Sequence, residues 1–133
     1  MTEHIAIHDT PDGVRLIRLD RPDKKNALTC AMYDAMRDAL AQADLSESIG
    51  AIVFAGAPGA FSAGNDLADF VAGARRPFTE APALHFIRRL ARTATPMVAA
   101  VDGIAVGIGT TLTLHCDLVY ASPAARCPIS TAT

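Results

Sequence analysis

The sequence predicts an α/β fold with a mainly parallel sheet, and three observations lead there. Two short apolar runs, Ala51–Ala55 and Met97–Val101, have the length and composition of buried strands. Around them lie stretches whose apolar residues recur at helical spacing. Strand-like and helix-like segments alternate along the chain, the pattern of strands joined by helical crossovers.

The elements follow in order. His4 to Asp9 and Val14 to Asp20 alternate apolar and polar residues around Pro11-Asp12-Gly13, which is turn chemistry, so a β-hairpin opens the chain. Arg21 to Asn26 is a polar loop. Thr29 is an N-cap, and Met32, Ala35, Met36, Ala39, Leu40 and Ala43 then share one helical face. Gly50 starts the strand Ala51–Ala55, and Gly56-Ala57-Pro58-Gly59 turns out of it. Phe61 to Leu67 is a turn entering a short helix, and Gly73 to Pro82 is a mobile loop. Leu84, Ile87, Leu90 and Ala91 mark an amphipathic helix ending before Pro96. Beyond Met97–Val101, Asp102-Gly103 turns, Gly107-Ile108-Gly109 makes a tight corner, and Thr110 to His115 is a buried helical turn. Asp117 to Ser122 is the last strand, and residues 127–133 lack periodicity, as an unstructured tail does.

Composition narrows the function classes. A chain of 133 residues fits one domain, and with half its residues hydrophobic it has a core to bury. A net charge of −2 and the absence of Trp argue against nucleic-acid binding. Cys30, Cys116 and Cys127 are odd in number and widely spaced, as reduced thiols of a cytoplasmic protein are. No CxxC or HExxH spacing suggests a metal. Met97 to Leu114 approaches the length of a membrane span, but Gly103, Gly107, Gly109 and three threonines divide it into strand, turn and helix.

Two segments share a design: a buried strand runs into a small-residue corner and then a helix. The first corner is Phe61-Ser62-Ala63-Gly64 and the second Gly107-Ile108-Gly109-Thr110. Glycine lets another molecule approach the main chain, and the first N–H groups of a helix lack internal partners. Facing corners would supply two donors to one anionic oxygen. Tight packing of strand ends explains the same residues, so both readings stay open on pattern alone.

Arg21-Pro22-Asp23-Lys24-Lys25-Asn26-Ala27-Leu28, Phe61-Ser62-Ala63-Gly64-Asn65-Asp66-Leu67, Ala100 to Gly109, and Cys116 to Ala121 together resemble the enoyl-CoA hydratase/isomerase (crotonase) family in order and spacing. The resemblance covers residues 1–126. It implies a crotonase-like (ClpP/crotonase) spiral of β-β-α units that binds acyl-CoA thioesters and holds an enolate-like oxygen on two backbone N–H groups. By motif position those donors are Ala63 and Ile108. Ser62, Ala63, Gly64, Asn65, Asp66, Leu67, Gly107 and Ile108 line the thioester site, and Lys24 and Ala27 lie beside the nucleotide. The resemblance implies no cofactor apart from the coenzyme A of the substrate, no nucleic-acid or membrane partner, and trimers or hexamers among family members.

The chain also departs from the family pattern. Hydratases of the family carry a glutamate just after the second corner, where this sequence has Thr111. A threonine hydroxyl is no general base near neutral pH. Val106 to Leu112 is instead similar to the Δ3,Δ2-enoyl-CoA isomerase branch, whose single carboxylate lies beyond the strand matching Asp117–Ser122. Family members continue well past residue 133 with more core and the oligomer-forming helices. The expectation is therefore an N-terminal part of such a domain, a truncated product. It is either an isomerase of fatty-acid metabolism by descent or an inactive remnant that binds acyl-CoA. Asp66 and Asp69 are expected in capping or surface roles, and Asp117 at the start of a strand.

Overall fold

The computed structural model describes residues 3–128. Strands β1 (Ile5–Asp9) and β2 (Val14–Leu19) form the expected antiparallel hairpin, with Ile5 opposite Leu19 and Asp9 opposite Arg15. Strands β3 (Ala51–Ala55), β5 (Met97–Val101) and β7 (Leu118–Ala121) extend the sheet, each parallel to its neighbour, in the order β1-β2-β3-β5-β7. Ile52 stands beside Met97 and Phe54 beside Ala99, so the pleat points these residues to one buried face.

Helix α1 (Cys30–Leu45) begins where Thr29 accepts a hydrogen bond from the Met32 N–H at 3.2 Å, one of the orphan donors of the first turn. The expected face is buried throughout: Met32, Ala35, Met36, Ala39, Leu40 and Ala43, with Tyr33 beside them. It packs on helix α3 (Pro82–Arg92) and on the hairpin. Asp44, near the end of α1, accepts from the Ala94 and Thr95 N–H groups and the Thr95 hydroxyl and pairs with Arg89. That knot ties α1 to the entry of β5. Truncating any of the fully buried large residues, such as Leu40 or Phe54, would cost about 2–5 kcal/mol.

Two β-β-α units repeat along the chain. In the first, β3 leads to β4 (Ala60–Ser62) and helix α2 (Leu67–Gly73); in the second, β5 leads to β6 (Ile104–Ala105) and helix α4 (Ile108–Leu114). β4 and β6 pair in parallel as a separate small sheet. The sequence places Phe61 and Ser62 of β4 in a turn and assigns no strand to Ile104–Ala105, because two or three residues cannot display a periodicity.

Other differences concern faces and ends. In α3 the buried residues are Phe86 and Leu90, while Ala91 is exposed, since the aromatic ring takes the core position one turn before Leu90. The helix starts at Pro82, whose missing N–H costs nothing in a first turn. The segment from Gly73 to Pro82 contains one 3-10 turn, Phe78–Glu80. All four residues of β7 are exposed, so it forms an edge with apolar Leu118, Val119 and Tyr120 open to solvent. The tail expected from residue 127 begins with the exposed Cys127 and Pro128 and otherwise lies outside the described residues. No helix among the described residues is long and apolar enough to cross a membrane.

Candidate functional site

The small β4–β6 sheet brings the two corners side by side. The Val106 N–H donates to the Ser62 carbonyl at 2.9 Å. Gly109 packs so tightly on Ser62 that a β-carbon there would sit 2.8 Å from the Ser62 carbonyl oxygen. Gly64 adopts φ +93°, a conformation other L-residues rarely take, and a side chain there would press on the Val106 carbonyl. Gly64 and Gly109 therefore serve close approach of one corner to the other.

Residues 21–28 hold the first corner from outside. Asn26 is fully buried at φ 57°, in the left-handed region that asparagine tolerates better than most. Its side chain accepts from the Arg21 N–H at 2.7 Å and donates to the Ala60 and Phe61 carbonyls at 3.0 and 3.2 Å. The Ser62 hydroxyl donates to the Asn26 carbonyl at 2.9 Å and accepts from the Gly64 N–H at 3.1 Å. Arg21 reaches the Ala27 carbonyl at 3.0 Å and Asp66 at 2.8 Å. Lys24 and Lys25 are exposed on this loop.

One expected donor is corrected by these contacts. The Ala63 N–H donates to the Lys25 carbonyl at 2.9 Å, so it is consumed in fastening the corner to the loop. Two residues later the situation reverses. Leu28 donates to the Gly64 carbonyl at 2.7 Å and accepts from the Asp66 N–H at 2.9 Å, a single parallel bridge centred on Asn65. In such a bridge the central residue's own N–H faces away from the partner strand. The Asn65 N–H has no hydrogen-bond partner among the described residues, and neither has that of Ile108. Ile108 is the first residue of α4, where an unbonded N–H is the rule. Nothing local marks Asn65; only its long-range bridge does.

The acidic residues are committed elsewhere. Asp66 caps α2 by accepting from the Asp69 N–H at 2.9 Å. That backbone hydrogen bond first, then the one from Arg21, holds the Asp66 carboxyl below its ordinary range. Asp69 accepts from the Cys30 N–H, and Asp117 accepts from the Met97 N–H at 2.8 Å where β7 begins. The Thr111 hydroxyl donates to the Gly107 carbonyl at 3.2 Å. These are the capping and strand-start roles the sequence suggested.

A pocket of about 450 Å³ opens beside the first corner, lined among others by Leu28, Tyr33, Asn65, Phe70, Phe78 and Ala83. Its wall is mostly apolar, and α1, α2, α3 and the 3-10 turn between α2 and α3 build it. Leu67, expected at the site, starts α2 with its side chain largely exposed. Cys30 also lines the pocket, and burial first, with Asp69 beside it, pushes its thiol up to about 11, so it stays protonated near neutral pH. Among the described residues no cluster of His, Cys, Asp and Glu is arranged to hold a metal ion.

With this geometry in place, the likeness to known proteins is specific. Residues 9–132 match the enoyl-CoA hydratase/isomerase family. The chain is 39% identical over 124 residues to 4-chlorobenzoyl coenzyme A dehalogenase-2 of an Arthrobacter species, covering 86% of this chain and 44% of that protein. It is 33% identical over 135 residues to the 1,2-epoxyphenylacetyl-CoA isomerase of Escherichia coli, covering 95% of this chain and 50% of that one. The structure of Pseudomonas aeruginosa OdaA superposes with a TM-score of 0.88 at 41% identity, over 95% of this chain and 50% of that one. The chain thus spans about half the length of the curated relatives it matches. It belongs to the enoyl-CoA hydratase/isomerase family and carries the crotonase fold.

Proposed function

We propose that this member of the family binds an acyl-CoA thioester with its carbonyl oxygen on the N–H groups of Asn65 and Ile108. The observation that carries the reading is a pair of N–H groups without partners among the described residues, on two corners packed against each other. Asn65 is exposed and Ile108 half-buried, so both N–H groups are open to an incoming oxygen, which replaces water as their acceptor. Two donors on one oxygen stabilise the negative charge that develops when a proton leaves the carbon beside the thioester. The acyl group lies in the pocket next to Asn65, Gly64 and Gly109 let the two corners pack closely, and Ser62 and Gly107 lie beside the two donors. Lys24 and Ala27, on the loop that clamps the first corner, lie toward the nucleotide end of coenzyme A.

Among the chemistries of the family, the resemblance around Thr111 favours isomerisation of an enoyl-CoA over hydration, since threonine supplies no base for activating water. A second reading rests on the carboxylates. Asp66 and Asp69, which follow the first corner, both carry structural hydrogen bonds, so these residues leave the proton-transfer step without a base of their own. On that reading the chain binds acyl-CoA and polarises the thioester without turnover.

Titration with an unreactive acyl-CoA, followed by assays with 3-enoyl-CoA and 2-enoyl-CoA, separates the readings. Both expect the acyl thioester to bind more tightly than free coenzyme A. Turnover of 3-enoyl-CoA supports the isomerase, binding without turnover the second reading, and no preference for the thioester overturns both.

A further inference from the structure

We propose that Tyr33 is a positioning residue for the first donor, acting through the side chain of Asn65; the inference rests on the oxyanion reading above. Tyr33 lies on the core face of α1 and is only 3% exposed, yet its phenol ends at the pocket wall beside Asn65. Its hydroxyl donates to the Asn65 side-chain oxygen. A buried phenol needs a polar partner, and this bond supplies one. The ring is fixed independently, in a tilted contact with Phe86 at 5.6 Å between centroids.

The geometry gives the bond a task. Leu28 anchors the backbone on both sides of Asn65, at the Gly64 carbonyl and the Asp66 N–H. Those bonds set the mean direction of the Asn65 N–H and leave small librations about it to be damped. Asn65 is exposed, so without Tyr33 its side chain would sample several rotamers and give its backbone no added restraint. Tying its amide oxygen to a residue locked in the core removes that freedom. The donor is thereby aimed before the ligand arrives, which is what electrostatic stabilisation of a developing charge requires.

The test uses acetoacetyl-CoA, which on binding loses its C2 proton to the buffer and leaves an enolate with its charge on the oxygens and a distinct ultraviolet band. The expected result is a strong enolate band with the unmodified chain, and a band reduced about 3- to 10-fold at saturation in Tyr33→Phe. Asn65→Ala keeps the backbone N–H and loses the anchor, so it should show the same loss. The double variant should be no worse than either single one, because both remove one bond. Free coenzyme A should bind all four proteins equally, and the melting temperature of Tyr33→Phe should stay close to that of the parent because the ring packing is retained. An unchanged band in Tyr33→Phe, or additive losses in the double variant, overturns the inference while leaving the oxyanion reading intact. No enolate band in the unmodified chain, with coenzyme A still bound, overturns the oxyanion reading and this inference with it.

Discussion

Ile108 owes its unbonded N–H to local chain geometry, whereas Asn65 owes its own to contacts with residues far away in sequence. The second corner is a helix start, and any helix leaves its first N–H groups without internal partners. The first corner is an irregular turn stitched from outside by Asn26, Leu28 and Arg21, the last reaching Asp66 across 45 residues. A donor of the first kind needs few supporting residues. A donor of the second kind is only as good as the loop that holds it, and that loop carries a buried asparagine in a left-handed conformation.

The sharpest way to break the comparison is to delete the local donor while sparing its helix. Ile108→Pro places proline at the first helical position, where it is well tolerated, and removes the one N–H in question. Enolate stabilisation should fall by about 10²–10³-fold, equivalent to ~2.7–4 kcal/mol for one lost oxyanion donor. Circular dichroism and melting should show the fold retained, with a modest loss from the partly buried isoleucine side chain. An Ile108→Val control, which keeps the N–H, should leave the enolate band within about twofold of the parent.

At the first corner, damage should come through the fold. Asn26→Ala leaves the Arg21 N–H and the Ala60 and Phe61 carbonyls without their partner, at a cost of about 1–3 kcal/mol for each group that stays unpaired. Chemical denaturation should show a large loss of stability, and acyl-CoA binding should weaken with it. Asn26→Gly relieves the backbone conformation but restores none of the bonds, so it should recover only part of the loss. Full recovery by glycine would mean that conformation, rather than the hydrogen bonds, is what residue 26 contributes.

The smallest effect expected is electrostatic. The Asp69 N–H first, then Arg21, lowers the folded-state pKa of Asp66 below its unfolded value. The stability this provides is present above the unfolded value of ~3.9 and is lost as pH falls through the lowered folded value. Asp66→Asn keeps a helix cap but loses the charge. Its melting temperature should lie below the parent's near neutral pH, and the gap should close as the pH falls below the unfolded value and through the lowered folded one. A gap that widens on acidification would contradict the assigned sign.

The chain by itself determined the alternation of strands and helices, the parallel central pair and the α1 face. Each of these is written in local composition: apolar runs of strand length and a 3.6-residue period behind Thr29. The resemblance of three motifs supplied the family and pointed to both corners, with Ile108 as one expected donor. Tertiary structure alone decided which atom of the first corner is free. From motif position the donor falls on Ala63, but the Lys25 carbonyl takes that N–H, and the bridge to Leu28 turns the one at Asn65 outward. β4 and β6 were equally hidden, being too short to carry a period, and the core face of α3 runs through Phe86 and Leu90, which leaves Ala91 turned to solvent. Tyr33 and Asn65 are 32 residues apart, and nothing in either neighbourhood announces that they meet. Local rules reach about one helical turn along the chain, so a donor freed or consumed by a partner dozens of residues away becomes legible only when the chain has closed on itself.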